Sequence, residues 1–176
     1  MKSHADTVMA VPALLPLTQQ RAVMQAIERH RDSAGALLPI LHAIQQALGH
    51  VPPAAVPLLA QALNRSRAEV HGVISFYHFF RSTPPGRHVI QLCRAEACQA
   101  MGARALEAHA RRTLGIDFHQ TTTDGAFTLE PVYCLGNCAC SPSLLIDGEL
   151  HGRVDPERFD ELLVETCETD PAKAQA

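Results

Sequence analysis

Much that a chain of this size often carries is missing. No apolar run approaches the roughly 20 residues that a bilayer-spanning helix needs, so no membrane span is expected. There is no excess of positive charge either. The 15 Lys and Arg face 18 Asp and Glu, a formal net charge of -3, which leaves no basic field and no expectation of a nucleic-acid partner. No Gly-x-Gly-x-x-Gly turn follows a strand and no Gly-x4-Gly-Lys loop occurs, so no nucleotide site is visible. No nucleophile, base and orienter share a recognisable spacing, and no substrate turnover is expected from this chain alone. Internal repeats are absent.

The cysteines are defined as much by the spacings they avoid. Without Cys-x-x-Cys, neither the tight knuckle of an ordinary structural zinc site nor a thioredoxin-type redox dithiol is present. Without a His-x-x-Cys loop, the ten histidines do not suggest a Rieske centre. His42, His50, His71, His78 and His109 are expected on helix surfaces or in helix packing. Six cysteines in 176 residues are also too tightly grouped for the disulfide framework of a small secreted domain. A reducing cytoplasm is the expected compartment.

What is present is a pair of cysteine loops, Cys93-Arg-Ala-Glu-Ala-Cys98 and Cys134-Leu-Gly-Asn-Cys138-Ala-Cys140. Each follows a strand-like run, 88–92 and 127–133, and the interval between them is long enough for a crossover helix. Side by side, the two strand ends would converge four thiols. Cys-x4-Cys with Cys-x3-Cys suits a [2Fe-2S] cluster, whose two irons need two thiolates each. A zinc-structured binding module is the remote alternative. Gly136 lets the second loop pass close to a cofactor without a side chain in the way. Cys134-x5-Cys140 is also a possible pair at this point. Arg94 and Glu96 lie inside the first loop, where they are either solvent-exposed or, for Arg94, close enough to tune the site.

Around the loops the pattern changes once. Residues 1–17 are expected as a flexible tail, since Asp6, Pro12 and Pro16 argue against a signal peptide. From 18 to 80 the spacing is helical, predicting four short helices. Thr18 is the expected cap of the first, Gly49 the stop of the second, and Val51-Pro52-Pro53 the entry to the third. Ser66-Arg-Ala-Glu69 reads as a capping box opening the fourth. The aromatic run Phe76–Phe80 is expected to pack this bundle against the next domain. Residues 81–86 read as a linker. From 87 to 166 strands alternate with helices: a strand at 88–92, a helix over 99–113, a hairpin at Asp124-Gly125, and strands at 144–146 and 150–154 joined by an Asp147-Gly148 turn. A last helix starts near Asp155 with Pro156 at its first position. Residues 167–176, with Cys167, are expected as a C-terminal tail.

Specific stretches carry a resemblance: Leu-Leu-Pro-Ile-Leu-His (37–42), Ser-Arg-Ala-Glu-Val-His-Gly-Val (66–73), Phe-Tyr-His (76–78), Cys-Arg-Ala-Glu-Ala-Cys (93–98) and Tyr-Cys-Leu-Gly-Asn-Cys (133–138). The chain resembles the small (gamma) iron-sulfur subunit of NAD-dependent formate dehydrogenases. The wider family includes the 24-kDa subunit of respiratory NADH dehydrogenase and the matching subunit of NAD-linked hydrogenases. Pro-Pro-Gly-Arg-His (84–88) and Cys-Arg-Ala-Glu-Ala-Cys-Gln-Ala-Met-Gly (93–102) look closer to the formate branch.

The resemblance implies an α+β protein: an N-terminal four-helix bundle followed by a thioredoxin-like α/β domain. It implies one [2Fe-2S] cluster on Cys93, Cys98, Cys134 and Cys138, and selects Cys138 over Cys140, leaving Cys140 nearby. The implied partners are a flavin/NAD-binding subunit with FMN and a large subunit with molybdopterin and further iron-sulfur clusters. The implied reaction of the whole complex is formate oxidation to carbon dioxide with reduction of NAD. The respiratory or hydrogenase complex is the alternative.

Overall fold

A computed structural model describes residues 15–169; the expected N-terminal tail lies almost wholly outside them, and so does most of the expected C-terminal one. Among the described residues are seven α-helices and a five-stranded sheet, a mixed α+β architecture. The chain divides into two compact units between Pro84 and Pro85.

The first unit is helical. Helix α1 (Leu17–His30) packs on α2 (Leu37–Leu48), and α3 (Val56–Ala62) packs on α4 (Arg67–Phe76). Residues at helical spacing, Val23, Ile27, Ile40, Leu41, Ile44, Leu59 and Val70, close one core. The stop at Gly49 is a left-handed residue with φ 76°, whose N–H donates to Gln45 O. Ser66 and Glu69 form the expected reciprocal cap of α4. Thr18 does not cap α1. Pro16 holds the cap position without a side-chain bond, because its fixed φ starts the helix one residue before Thr18. A single 3-10 turn, Pro53–Ala55, leads into α3.

Phe80 enters the first unit's own core, whereas Phe76, Tyr77 and Phe79 are exposed. The reason is a buried amide. Gln45 donates from Nε2 to Phe79 O (2.7 Å) and accepts from Arg81 N–H (2.7 Å), fixing the backbone on both sides of Phe80.

The second unit is a sheet of order β2-β3-β1-β4-β5, formed by β1 (His88–Cys93), β2 (Gln120–Thr121), β3 (Phe127–Val132), β4 (Ser143–Ile146) and β5 (Glu149–Gly152). β1 and β3 are parallel, with Cys93 opposite Val132; the other pairs are antiparallel. Alternate residues Ile90 and Leu92, Phe127 and Leu129, and Leu144 and Ile146 share a core with Leu106, Ala110, Phe159 and Leu162. Asp147 (φ 51°) and Gly148 (φ 90°) make the tight turn between β4 and β5.

The helix expected over 99–113 is two helices, α5 (Glu96–Ala100) and α6 (Ala103–Leu114). Gly102, at φ 101°, breaks the chain between them, so the first cysteine loop itself becomes helical at Glu96. β5 stops at Gly152, short of the expected Val154, because Arg153 turns out of the strand at φ 55°. The last helix, α7 (Pro156–Thr169), is capped by Asp155 Oδ1, which accepts from Arg158 N–H at 2.8 Å. It extends past residue 166 and includes Cys167, whose side chain packs on the second unit's core. No helix among the described residues is long and apolar enough to cross a membrane.

Candidate cofactor site

The two central strands run parallel, so their C-terminal ends lie side by side, and both cysteine loops leave from that edge. Cys93 ends β1. Parity turns it away from the face carrying Ile90 and Leu92, and it forms a separate small cluster with Cys98 and Ala103. Cys98 lies in α5, whose start at Glu96 brings the thiol back toward the strand end. Cys134 follows β3 at φ 116°, and Gly136 follows at φ 77°, so the second loop is folded sharply back on itself. Cys138 opens a 3-10 turn, Cys138–Cys140.

The thiols stand as two pairs. Cys134 Sγ is 3.8 Å from Cys138 Sγ, and Cys93 and Cys98 are buried together in one small cluster, close enough for each thiol to shift the other. The pairs are also within electrostatic reach. Cys138 is raised above the ordinary thiol range chiefly by its hydrogen bond and repulsion with Cys134, with smaller contributions from Cys98 and Cys93. Burial pushes the Cys93 thiol up. For Cys98, burial acts in the same direction but is outweighed by the Ser141 hydroxyl, the Cys93 thiol and the Ser143 N–H, which together lower it. Among the described residues, no three His, Cys, Asp or Glu converge as a group for one metal ion.

Exposure divides the pairs. Cys93 and Cys98 are 1% and 2% exposed, while Cys134 and Cys138 are exposed, so the site is closed on one side and open on the other. Backbone N–H groups lie close to three of the four sulfurs: Gly136 donates to Cys134 Sγ (3.4 Å), and the N–H groups of Ala95 and Leu135 act on Cys93 and that of Ser143 on Cys98. Four thiolates around two ferric ions and two sulfides carry a net negative charge, which such amides stabilise. The donor set and its amides therefore fit the cofactor expected from the sequence.

Other candidate residues lie differently. Cys140 is over β5, where its Cβ would be 2.8 Å from a Cβ placed on Gly152. Arg94 leaves the loop sideways: its Nε donates to Glu107 Oε2 at 2.9 Å, and its guanidinium stacks on Phe118 at 5.2 Å. Glu107 also binds Arg111, so Arg94 belongs to a surface ion-pair group around α6. His42 packs on Phe79 and Phe80, His50 bonds Leu48 O, and His109 bonds Asp160. Three contributors carried no sequence signal: Ser141 and Ser143, both buried beside the thiols, and Gly152, which makes room for the second loop.

A sheet edge that gathers two thiol pairs and sets amide donors beside them fits a protein that carries an iron-sulfur cofactor. Residues 23–167 match the thioredoxin-like [2Fe-2S] ferredoxin family, and the chain belongs to it; its cofactor is one [2Fe-2S] cluster. The chain is 34% identical over 161 residues to the E subunit of the NADH-quinone oxidoreductase of Pseudomonas aeruginosa, covering 92% of this chain and 97% of that one. It is 33% identical over 153 residues to the HndA subunit of the NADP-reducing hydrogenase of Solidesulfovibrio fructosivorans, covering 87% and 90%. The solved structure of an air-oxidised NAD+-reducing [NiFe]-hydrogenase matches with a TM-score of 0.65 and 31% identity. That match covers 83% of this chain and only 25% of the hydrogenase chain.

Proposed function

We propose that this chain is the electron-transfer subunit of a complex of the NADH dehydrogenase or NAD-linked hydrogenase type, placed beside a flavin- and NAD-binding subunit. Its near full-length likeness to the Pseudomonas and Solidesulfovibrio subunits supports this reading. The formate dehydrogenase branch, and with it a molybdopterin-bearing partner, rests on the resemblance of 84–88 and 93–102 alone. The relatives named above favour the respiratory or hydrogenase alternative. In this reading residues 18–80 are a four-helix bundle, 81–86 a linker and 87–166 a thioredoxin-like domain.

Cys93 and Cys98 are the ligands of one iron, Cys134 and Cys138 of the other. The observation that carries this is the pairing itself, with 3.8 Å between the Cys134 and Cys138 sulfurs and Cys93 and Cys98 buried together in one cluster. A bound [2Fe-2S] cluster accepts and returns one electron at a time. The chain's own residues do the rest. The buried pair excludes water from one side, and the exposed pair presents the other to a partner. The amides of Ala95, Leu135, Gly136 and Ser143 hold the sulfurs' charge without moving.

Iron, sulfide and zinc analysis of the anaerobically purified chain, with the spin signal of its reduced form, tests the reading. Two irons and two sulfides per chain are expected. Stoichiometric zinc without sulfide would overturn it in favour of the zinc-structured module. Identifying the subunits that co-purify from the native source decides between the complexes: a flavin subunit with hydrogenase or quinone-linked partners is expected, and a molybdenum-containing partner would restore the formate branch.

A further inference from the structure

One buried hydroxyl spans the two cysteine loops. Ser141, directly after the Cys138–Cys140 turn, is 7% exposed. Its Oγ lies 3.4 Å from Cys98 Sγ, which belongs to the first loop, and 2.9 Å from Cys138 O, which belongs to the second. As free thiols, the proton count is simple: Cys98 S–H donates to Ser141 Oγ, and Ser141 O–H donates to Cys138 O.

We propose that Ser141 is a positioning residue for electron transfer, its hydroxyl donating to Cys98 Sγ and thereby raising the reduction potential of the site. The inference rests on the reading of Cys98 as an iron ligand. A ligated Cys98 is a thiolate and has no proton to give, so the 3.4 Å line is a hydrogen bond only if Ser141 becomes the donor. Its single proton is then contested by a sulfur and by the Cys138 carbonyl. The sulfur's share of negative charge grows when one electron enters the site, while the carbonyl's changes little, so reduction strengthens the bond to sulfur. Burial removes water as a competing partner for either acceptor. No covalent bond to hydrogen breaks and no proton is taken up or released, so the effect on the potential is independent of pH.

The test uses the full chain, purified anaerobically, as wild type, Ser141→Ala, Ser141→Gly and Ser141→Thr, with Thr128→Ala as a buried hydroxyl lost elsewhere. Iron and sulfide content is measured first, then the midpoint potential in dye-mediated titration with dithionite at several pH values. Ser141→Ala and Ser141→Gly are expected to load fully. At a fixed solution potential each should hold about tenfold less reduced protein, equivalent to about 59 mV for a one-electron couple, and equally at every pH. Ser141→Thr, which keeps the hydroxyl, and Thr128→Ala should stay near wild type. The reduced wild type should also show an exchangeable deuterium coupling after transfer to heavy water that is missing in Ser141→Ala. Loaded Ala and Gly variants with an unchanged potential would overturn the proposal, as would failure of both to load, which would make the hydroxyl structural. A Cys98→Ser chain that keeps the wild-type cluster spectrum would instead remove the ligand reading on which it rests.

Discussion

Gly152 lies so close beneath Cys140 that a Cβ at position 152 would come within 2.8 Å of the Cys140 Cβ, 2.9 Å of its carbonyl oxygen and 2.7 Å of Asn137 Nδ2. The second cysteine loop is thus pressed onto β5, and Arg153 N–H fixes it there by donating to Cys140 O at 2.6 Å. Gly152→Ala is therefore expected to push the loop outward. Overpacking of this kind costs about 1–3 kcal/mol, and the displaced Cys138 should hold its iron less firmly. Thermal unfolding should fall, and bleaching of the visible spectrum by a chelator should accelerate. An unchanged bleaching rate would mean that the loop is set by its own turns.

Cysteine replacements separate the two neighbours in the 3-10 turn. Ser at 93, 98, 134 or 138 should lose or badly weaken the cluster, because an alkoxide ligand is far harder to form than a thiolate. Cys140→Ser and Cys167→Ser should keep full iron and sulfide. An empty Cys140→Ser protein beside a loaded Cys138→Ser protein would reverse the ligand assignment.

Arg94 is expected to matter little to the redox chemistry. Its side chain is partly exposed and held on Glu107 at 2.9 Å, so solvent and salt screen its charge, and Arg111 still neutralises Glu107 when the Arg94 charge is removed. Arg94→Ala should change the potential by less than about 30 mV, roughly a threefold change in the reduced-to-oxidised ratio. Voltammetry at low and high salt checks this. A larger fall that salt suppresses would show that the guanidinium charge is felt at the site.

The cap of α4 should make part of the stability acid-sensitive. The Ser66 N–H and hydroxyl both donate to Glu69, holding its carboxyl below the usual carboxylate range. A group with a depressed folded pKa contributes stability above its unfolded value, about 4.3, and that contribution is lost as pH falls through the lower folded one. Ser66→Ala should cost about 1 kcal/mol at neutral pH. The difference in Tm between wild type and Glu69→Gln should narrow below about pH 4, and a gap constant down to pH 2 would contradict the linkage.

Residues acting within one turn of chain were legible from the sequence. Gly49 ends α2, Ser66 and Glu69 cap α4, Asp147-Gly148 turns β4 into β5, and Pro156 opens α7, all where their backbone chemistry demands. Strand-like apolar runs marked β1 and β3, and the cysteine spacing pointed to a two-iron site. Where a local signal had a competitor, reading it failed. Thr18 lost the start of α1 to Pro16, and Gly102 divided a helix whose apolar spacing runs through it.

The tertiary structure decided what depends on partners distant in the chain. The sequence determined that four thiols lie at two strand ends; only the parallel pairing of β1 with β3 brings those ends to one edge and makes one pair buried and the other exposed. Gln45 is polar and Phe76 apolar, yet Gln45 is buried and Phe76 exposed, because Gln45 finds its two backbone partners beyond the end of α4. Arg94 sits inside a cysteine loop, but Glu107, thirteen residues on, directs its charge. Ser141 lies 43 residues from Cys98 and touches its sulfur. Spacing along the chain fixes which chemistry the residues can perform; the hydrogen bonds and charges that tune it come from groups that only folding brings within a few ångströms.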